Sequence, residues 1–215
     1  MIEQIEKRWC GPMVVAASGP SLTSEQADCA NAGHCYIIAV NDAYRLFPRA
    51  DALYACDGRW WRAHNGCPDF AGEKWTSISE HRRDQLLAAK EFRLRVVQGE
   101  KRPGFSLDPA CIHYGRNSGF QAINLAILWG GNPIVLIGFD YRMGEKRHFF
   151  GQHPKGTGLQ NHGDYPRWVK IITEAAGRLP QDITIINCTP GSAIQCFPMG
   201  TLKEVLDGAH ISHAA

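Results

Sequence analysis

The chain has no Cys-x-x-Cys pair, no Gly-x-Gly-x-x-Gly fingerprint and no Gly-x-x-x-x-Gly-Lys-Ser/Thr loop. The first absence argues against a zinc or dithiol site built from its eight scattered cysteines, which read as reduced thiols of a cytoplasmic protein. The other two argue against a dinucleotide fingerprint and a P-loop NTPase. Charge of one sign is also scarce. The formal net charge is +2, and no long basic tract suggests a nucleic-acid partner. Apolar runs such as "PIVLIGF" are far too short to span a bilayer, and the charged start "MIEQIEKRWCGP" has no signal-peptide core.

What is present is the composition of a globular protein: 215 residues, 44% hydrophobic, 20% charged and 10% aromatic, the size of one domain with its own core. Short, continuous apolar runs recur at 13–18, 36–41, 52–57, 133–140 and 183–189, with weaker ones at 75–79 and 93–98. Continuous rather than alternating runs predict strands covered on both faces, as in a parallel sheet. Helical patterns fall between them, at 82–92, 118–131, 165–179 and 201–208, and a capping box, Thr23 to Gln26, opens another after the first strand. Pro166 sits in a first turn, where its missing N–H costs nothing. The expected fold is a single Rossmann-like, three-layer α/β domain spanning 1–215, with a mainly parallel sheet and a long lid-like loop at about 141–166.

Such sheets bind ligands at the carboxyl ends of their strands, where strand order reverses. Here those ends carry Ser18-Gly19-Pro20-Ser21, Asn41-Asp42, Asp57, Asp140-Tyr141 and Thr189-Pro190-Gly191-Ser192. Gly19 permits close backbone approach, and Ser21 suits either a phosphate or a helix cap. Arg116, Asn117, Ser118 and Gly119 form a second small-residue helix start, with an arginine able to meet a carboxylate or phosphate. The stretch 141–166 has little periodicity, five glycines, three histidines and four cations. Arg142, Lys146, Arg147 and Lys155 suit a pyrophosphate, and His148, His153 and His162 are acid/base candidates. Asp57 suits a ribose hydroxyl or a magnesium ion, whereas Trp60 and Trp61 read as packing.

The ordered set "VVAASGPSL", "AVNDAYRL", "NSGFQAINLAILWGGNPIVLIGFDY", a histidine-containing loop and "INCTPGSAI" resembles the bacterial sialyltransferases that use CMP-activated sialic acid. It is also similar to the hydroxymethylpterin pyrophosphokinase-like proteins, which share the Gly-Pro-Ser-Leu turn. The first resemblance implies a glycosyltransferase that moves a sugar from a nucleotide donor, CMP-type, to an unknown acceptor hydroxyl, without a tightly bound cofactor. It implies that Gly19, Pro20, Ser21, Asn41, Ser118 and Gly119 meet the donor and that Tyr141 assists the leaving phosphate. His162 would be the general base, with His153 and His148 behind it. The second implies Mg-ATP-dependent pyrophosphoryl transfer, with Asp57 and Asp140 at neighbouring strand ends holding the magnesium. A nucleotide-binding module without catalysis is the third reading.

Overall fold

A computed structural model describes residues 2–79, 83–153 and 164–212. Its order is β1 (Gly11–Ala16), α1 (Ser24–Ala32), β2 (Tyr36–Val40), a 3-10 helix (Asn41–Arg45), β3 (Ala52–Tyr54), α2 (Gly58–Ala63) and β4 (Glu73–Ile78). Then come α3 (Arg83–Glu91), β5 (Arg95–Glu100), β6 (Cys111–His113), α4 (Ser118–Trp129) and β7 (Gly131–Ile137). α5 (Tyr165–Ala176), β8 (Ile185–Asn187) and α6 (Leu202–Ser212) follow. One eight-stranded sheet runs β6-β5-β4-β3-β2-β1-β7-β8, and every pairing is parallel.

The apolar runs of the sequence are strands buried on both faces. In β1, Met13 and Val15 pack into one apolar cluster while Val14 and Ala16 pack into the other, and all four are fully buried. At about 1.5–3 kcal/mol for each large aliphatic side chain removed from water, this double coverage is the main force holding the layers. The strand β6 has no counterpart in the sequence reading. Its three residues, Cys-Ile-His, lie in no longer apolar run, unlike those of the equally short β3 and β8.

Eleven of the twelve residues of α4 are buried, so this helix is core all round rather than amphipathic. Its three buried polar side chains, Ser118, Gln121 and Asn124, recur every three residues, and each ties the helix to the rest of the fold. The Ser118 hydroxyl accepts the Cys56 N–H at 3.1 Å, and the Gln121 Oε1 accepts the Tyr54 and Ser77 hydroxyls, both at 2.7 Å. Asn124 Oδ1 accepts the N–H groups of Ser106 and His113, and its Nδ2 donates to the Ser106 carbonyl. Asn124 therefore fixes the edge strand β6 and the loop before it to the buried helix. Tryptophans 60 and 61 pack as expected, 2% and 0% exposed.

Asn124→Ala leaves three backbone groups without their partner in a buried place. The expected cost is about 2–4 kcal/mol, or a fall in Tm of about 5–12 °C for a chain of this size. Thermal unfolding followed by circular dichroism measures it. An unchanged Tm would mean that the clamp contributes nothing.

Candidate functional site

Strand order runs one way from β1 to β6 and the other way through β7 and β8, so the reversal lies between β1 and β7. Their carboxyl ends are held together by backbone and side chain. The Gly19 N–H donates to the Gly138 carbonyl at 2.9 Å, and the Ser21 hydroxyl donates to Asp140 Oδ2 at 2.8 Å. A Cβ on Gly19 would overlap both the Asp140 carboxylate and the Gly138 carbonyl, and Gly138 itself has φ +70°. These two glycines let the strand ends meet without an intervening side chain. Burial pushes the Asp140 carboxyl above its ordinary range, against the Ser21 hydrogen bonds that favour its charge.

Over this junction lies a cavity of about 200 Å³. Gly19 and Pro20 line it from the first turn, Asn41 from the end of β2, and Asp140, Tyr141 and Arg142 from the end of β7. Asn117, Ser118 and Gly119 face it from the start of α4, and Arg147, His148 and His153 from the following segment. Residues far apart in the sequence are thus gathered where the topology predicts a ligand. At α4, Asn117 caps the helix by accepting the Phe120 N–H at 2.9 Å. The N–H groups of Ser118 and Gly119 lie in the first turn, where no carbonyl of the helix reaches them. Tyr141 donates its hydroxyl to Asn117 Oδ1 at 2.6 Å, and burial raises its phenol well above the ordinary value, so the proton stays on oxygen.

The histidines form a second layer. His148 Nδ1 donates to the Ser18 carbonyl at 3.2 Å, which also accepts the Phe149 N–H, so the segment after β7 folds back over the first turn. That bond leaves His148 Nε2 as the basic nitrogen. The His148 and His153 rings lie 5.0 Å apart. His153 Nδ1 faces Asp42 Oδ2 at 3.8 Å, too far for a hydrogen bond. Asp42 is fully buried, accepts the Trp60 indole N–H at 2.8 Å and lies 3.0 Å from His64 and 2.7 Å from Arg45. Burial alone would raise its carboxyl, but the bonds to His64 and Trp60 outweigh it and hold the group below its ordinary value. Burial lowers both His153 and His148, the former against the pull of Asp42 and the latter with the help of His153. Both imidazoles are accordingly neutral at pH 7.

Five expectations change here. Ser21 does not line the cavity, since its hydroxyl braces Asp140. Ser192, 4% exposed, donates to the Phe139 carbonyl at 2.6 Å and accepts the Ile194 N–H, so it shapes the end of β8 instead. Asp57 caps α2 and pairs with Arg59, and Arg116 faces a different cavity. Asp57 and Asp140 are not at neighbouring strand ends. β2 and β1 stand between β3 and β7, putting the strands three spacings apart, about 14 Å, too far for the two carboxylates to share one magnesium. His162 and Lys155 lie outside the described residues. Tyr165 and Trp168, which the sequence shows only as helix, contribute an aromatic wall from α5. Their spacing of three, next to a lid-like segment, was the available signal. Among the described residues, Glu100, Cys111 and His113 are the group of metal-type side chains that comes together, at the β5–β6 edge away from this cavity, with Glu100 paired to Arg102 and His113 Nδ1 bonded to the Gly104 carbonyl.

No family model matches the chain, and no curated protein matches it. Among solved structures, the fold is similar to that of MAf glycosyltransferase from Magnetospirillum magneticum AMB-1, with a TM-score of 0.64 at 16% identity. The alignment covers 94% of this chain and 35% of that one, so the chain spans about a third of the length of that protein. The two share the parallel α/β fold. Among the described residues, no helix is long and apolar enough to cross a membrane.

Because His148 and His153 bind protons less readily folded than unfolded, the unfolded state takes up more protons as pH falls through the ordinary imidazole value of about 6.5. Stability from these groups is present at higher pH and lost on the acid side. Asp42 acts elsewhere: its carboxylate stabilises the fold above the ordinary Asp range, and that contribution is lost only as pH falls below it. The urea midpoint is therefore expected to be lower at pH 5.5 than at pH 8, and replacing both histidines with glutamine should flatten the difference. Equal midpoints in the unaltered protein would contradict the burial of the two rings.

Proposed function

We propose that the chain is a glycosyltransferase that moves a sugar from a nucleotide donor, CMP-type, to an acceptor hydroxyl, with the donor phosphate at the β1–β7 reversal. One observation carries this reading: neutral imidazoles, free first-turn amides and unburied cations converge on a single cavity at the strand-order reversal. The amides of Ser118 and Gly119 together with Arg142 and Arg147 suit a phosphate whose charge grows as it leaves. The ordered motifs of the sequence and the fold shared with a glycosyltransferase favour sugar transfer over other uses of such a site.

His153 acts as the base, with the Asp42 carboxylate nearby at 3.8 Å as a source of charge. It takes the proton of the acceptor hydroxyl as that oxygen bonds to the anomeric carbon, and the bond from that carbon to the phosphate oxygen breaks. The electron pair leaves with the nucleotide. Tyr141, held neutral, supplies an O–H to the departing oxygen by releasing its bond to Asn117. No step draws on a metal, so activity is expected to survive EDTA.

The first measurement is a thermal shift against CMP, UDP, GDP, ATP and their sugar conjugates, each with magnesium and with EDTA, since a ligand of the folded state raises Tm by mass action. A metal-independent shift with a cytidine nucleotide is expected. A shift with ATP and magnesium alone, or none at all, would defeat the proposal. With a donor in hand, His153→Ala should lower donor turnover by about 10²–10⁴-fold with little change in donor affinity. In the unaltered protein, kcat/KM should fall on the acid side with a midpoint below about 6.5. Unchanged turnover in His153→Ala would remove His153 as the base.

A further inference from the structure

At the β6 edge of the sheet three ligand-type groups come together: the Glu100 carboxylate, the Cys111 thiol and a ring nitrogen of His113, all within 4.8 Å of one another. The strand register puts them there. Glu100, the last residue of β5, pairs with His113, the last of β6, and Cys111 stands two residues earlier on the same strand. Side chains two apart on a strand share a face, so a Cys-x-His strand laid beside a glutamate presents all three together. Such a set needs one cysteine and none of the paired-cysteine spacings that the chain lacks.

The surroundings of each group are those of a ligand. Cys111 and His113 are 4% and 9% exposed. His113 Nδ1 donates to the Gly104 carbonyl at 3.0 Å, which leaves the lone pair on Nε2, and Nε2 has no hydrogen-bond partner among the described residues. The Cys111 sulfur lies 3.6 Å from the Ser106 hydroxyl, a ready donor to a thiolate. Glu100 Oε2 is paired with Arg102 at 2.7 Å, and Oε1 has no partner among the described residues. Metal-bound histidines and carboxylates are held from behind in this way.

The scaffold is fixed as well. Gly104 and Ser106 belong to the loop between β5 and β6, and Asn124 of the buried helix α4 accepts the N–H groups of both Ser106 and His113. One side chain thus locks the loop and the strand that carry the cluster. Packing alone does not account for it, because apolar side chains would fill the same space without burying an unpaired ring nitrogen.

We propose that Glu100, Cys111 and His113 bind a zinc ion. Thiolate, imidazole and carboxylate are zinc's donors. Two ligands of a tetrahedral zinc, bonded at about 2.0–2.3 Å, stand about 3.5 Å apart, so side-chain movements of about 1 Å close the three on an ion. The fourth position falls to water. Glu100 also lines a cavity of about 800 Å³, which gives the ion a way in. As the zinc–sulfur bond forms, the thiol proton passes to solvent. The ion then joins β5 to β6, a three-residue edge strand held otherwise by a short ladder and by Asn124. The site lies apart from the reversal between β1 and β7 and does not depend on the glycosyltransferase reading.

The test uses the full chain, stripped of metal with a chelator and dialysed. It is titrated with zinc against a chromophoric competitor and, separately, with cobalt(II), whose spectrum reports its ligands. One equivalent of zinc is expected to bind and to raise Tm by mass action. Cobalt should give a near-ultraviolet thiolate-to-metal charge-transfer band. Cys111→Ser should abolish that band and weaken zinc about tenfold or more, although the remaining cysteines are intact. Glu100→Gln, at a partly exposed position where folding is not at stake, should keep the band and weaken zinc about tenfold or more. The metal-free Tm of each variant is compared with that of the metal-free parent to check folding. No zinc binding, a band that survives Cys111→Ser, or unchanged zinc affinity in Glu100→Gln would overturn the proposal. Nucleotide binding at the reversal is measured in EDTA, so the two readings fail separately.

Discussion

The site depends on two glycines that let the ends of β1 and β7 meet. At the reversal of strand order, two neighbouring parallel strands send their chains to opposite sides, which opens a crevice. Whether the crevice becomes a site depends on how closely its walls are held. Here the Gly19 N–H to Gly138 carbonyl bond sets the spacing, and Ser21 on Asp140 locks the turn against the end of β7. With a side chain at position 19 the carboxylate of Asp140 would be displaced, and the segment from Tyr141 onward, with its arginines and histidines, would start from another place.

From that junction the chemistry divides by element. The start of α4 offers oriented amides, which cost no reorganisation because the helix behind them is buried almost all round. The end of β7 offers Tyr141 and Arg142. The end of β2 offers Asn41 and, one residue on, Asp42, whose burial is tolerable because His64, Trp60 and Arg45 surround it. The segment after β7 then crosses back, and its bond to the Ser18 carbonyl sets His148 over the same space. Rigid elements place the groups that would meet a phosphate, whereas the histidines ride on a loop. That division suits a site in which the anion must be held firmly and the proton acceptor must approach a second molecule.

The sequence revealed the parts of this arrangement that arise from local pattern. Buried strands show themselves as unbroken apolar runs, and their polar ends follow in register, which is why Gly19, Asn41, Asn117 to Gly119, Asp140 and Tyr141 were legible. Asp42 was visible only as the neighbour of Asn41. Its surroundings are made by α2 folding across the 3-10 helix, a contact between elements that no spacing encodes. Tyr165 and Trp168 read as ordinary helix residues because their partner, Tyr141, is more than twenty positions earlier. Ser21, Ser192 and Asp57 show the opposite error. Small polar residues at strand ends serve ligands, turns and caps equally well, and here all three are used to finish the fold. The pairing of Asp57 with Asp140 failed because strand order, not chain order, decides which ends are neighbours.

If the chain carries out the proposed transfer, the electrostatics of the cavity fit a proton acceptor that strengthens as the reaction advances. Without a ligand, burial keeps His148 and His153 neutral, and the nearby arginines oppose any added positive charge. An anion entering the cavity offsets those arginines and moves the imidazoles toward protonation. A leaving phosphate does so further as its negative charge grows during bond breaking. A base placed here would thus be unprotonated when an acceptor arrives and better able to hold a proton when that acceptor must lose one. Asp42, held below the ordinary carboxylate range by His64 and Trp60, would reinforce the second condition by stabilising an imidazolium at His153. A histidine with the same geometry but exposed to water would respond to these charges only weakly, since screening would blunt both effects. In the proposed reaction, burial of the pair would therefore couple proton transfer to departure of the phosphate.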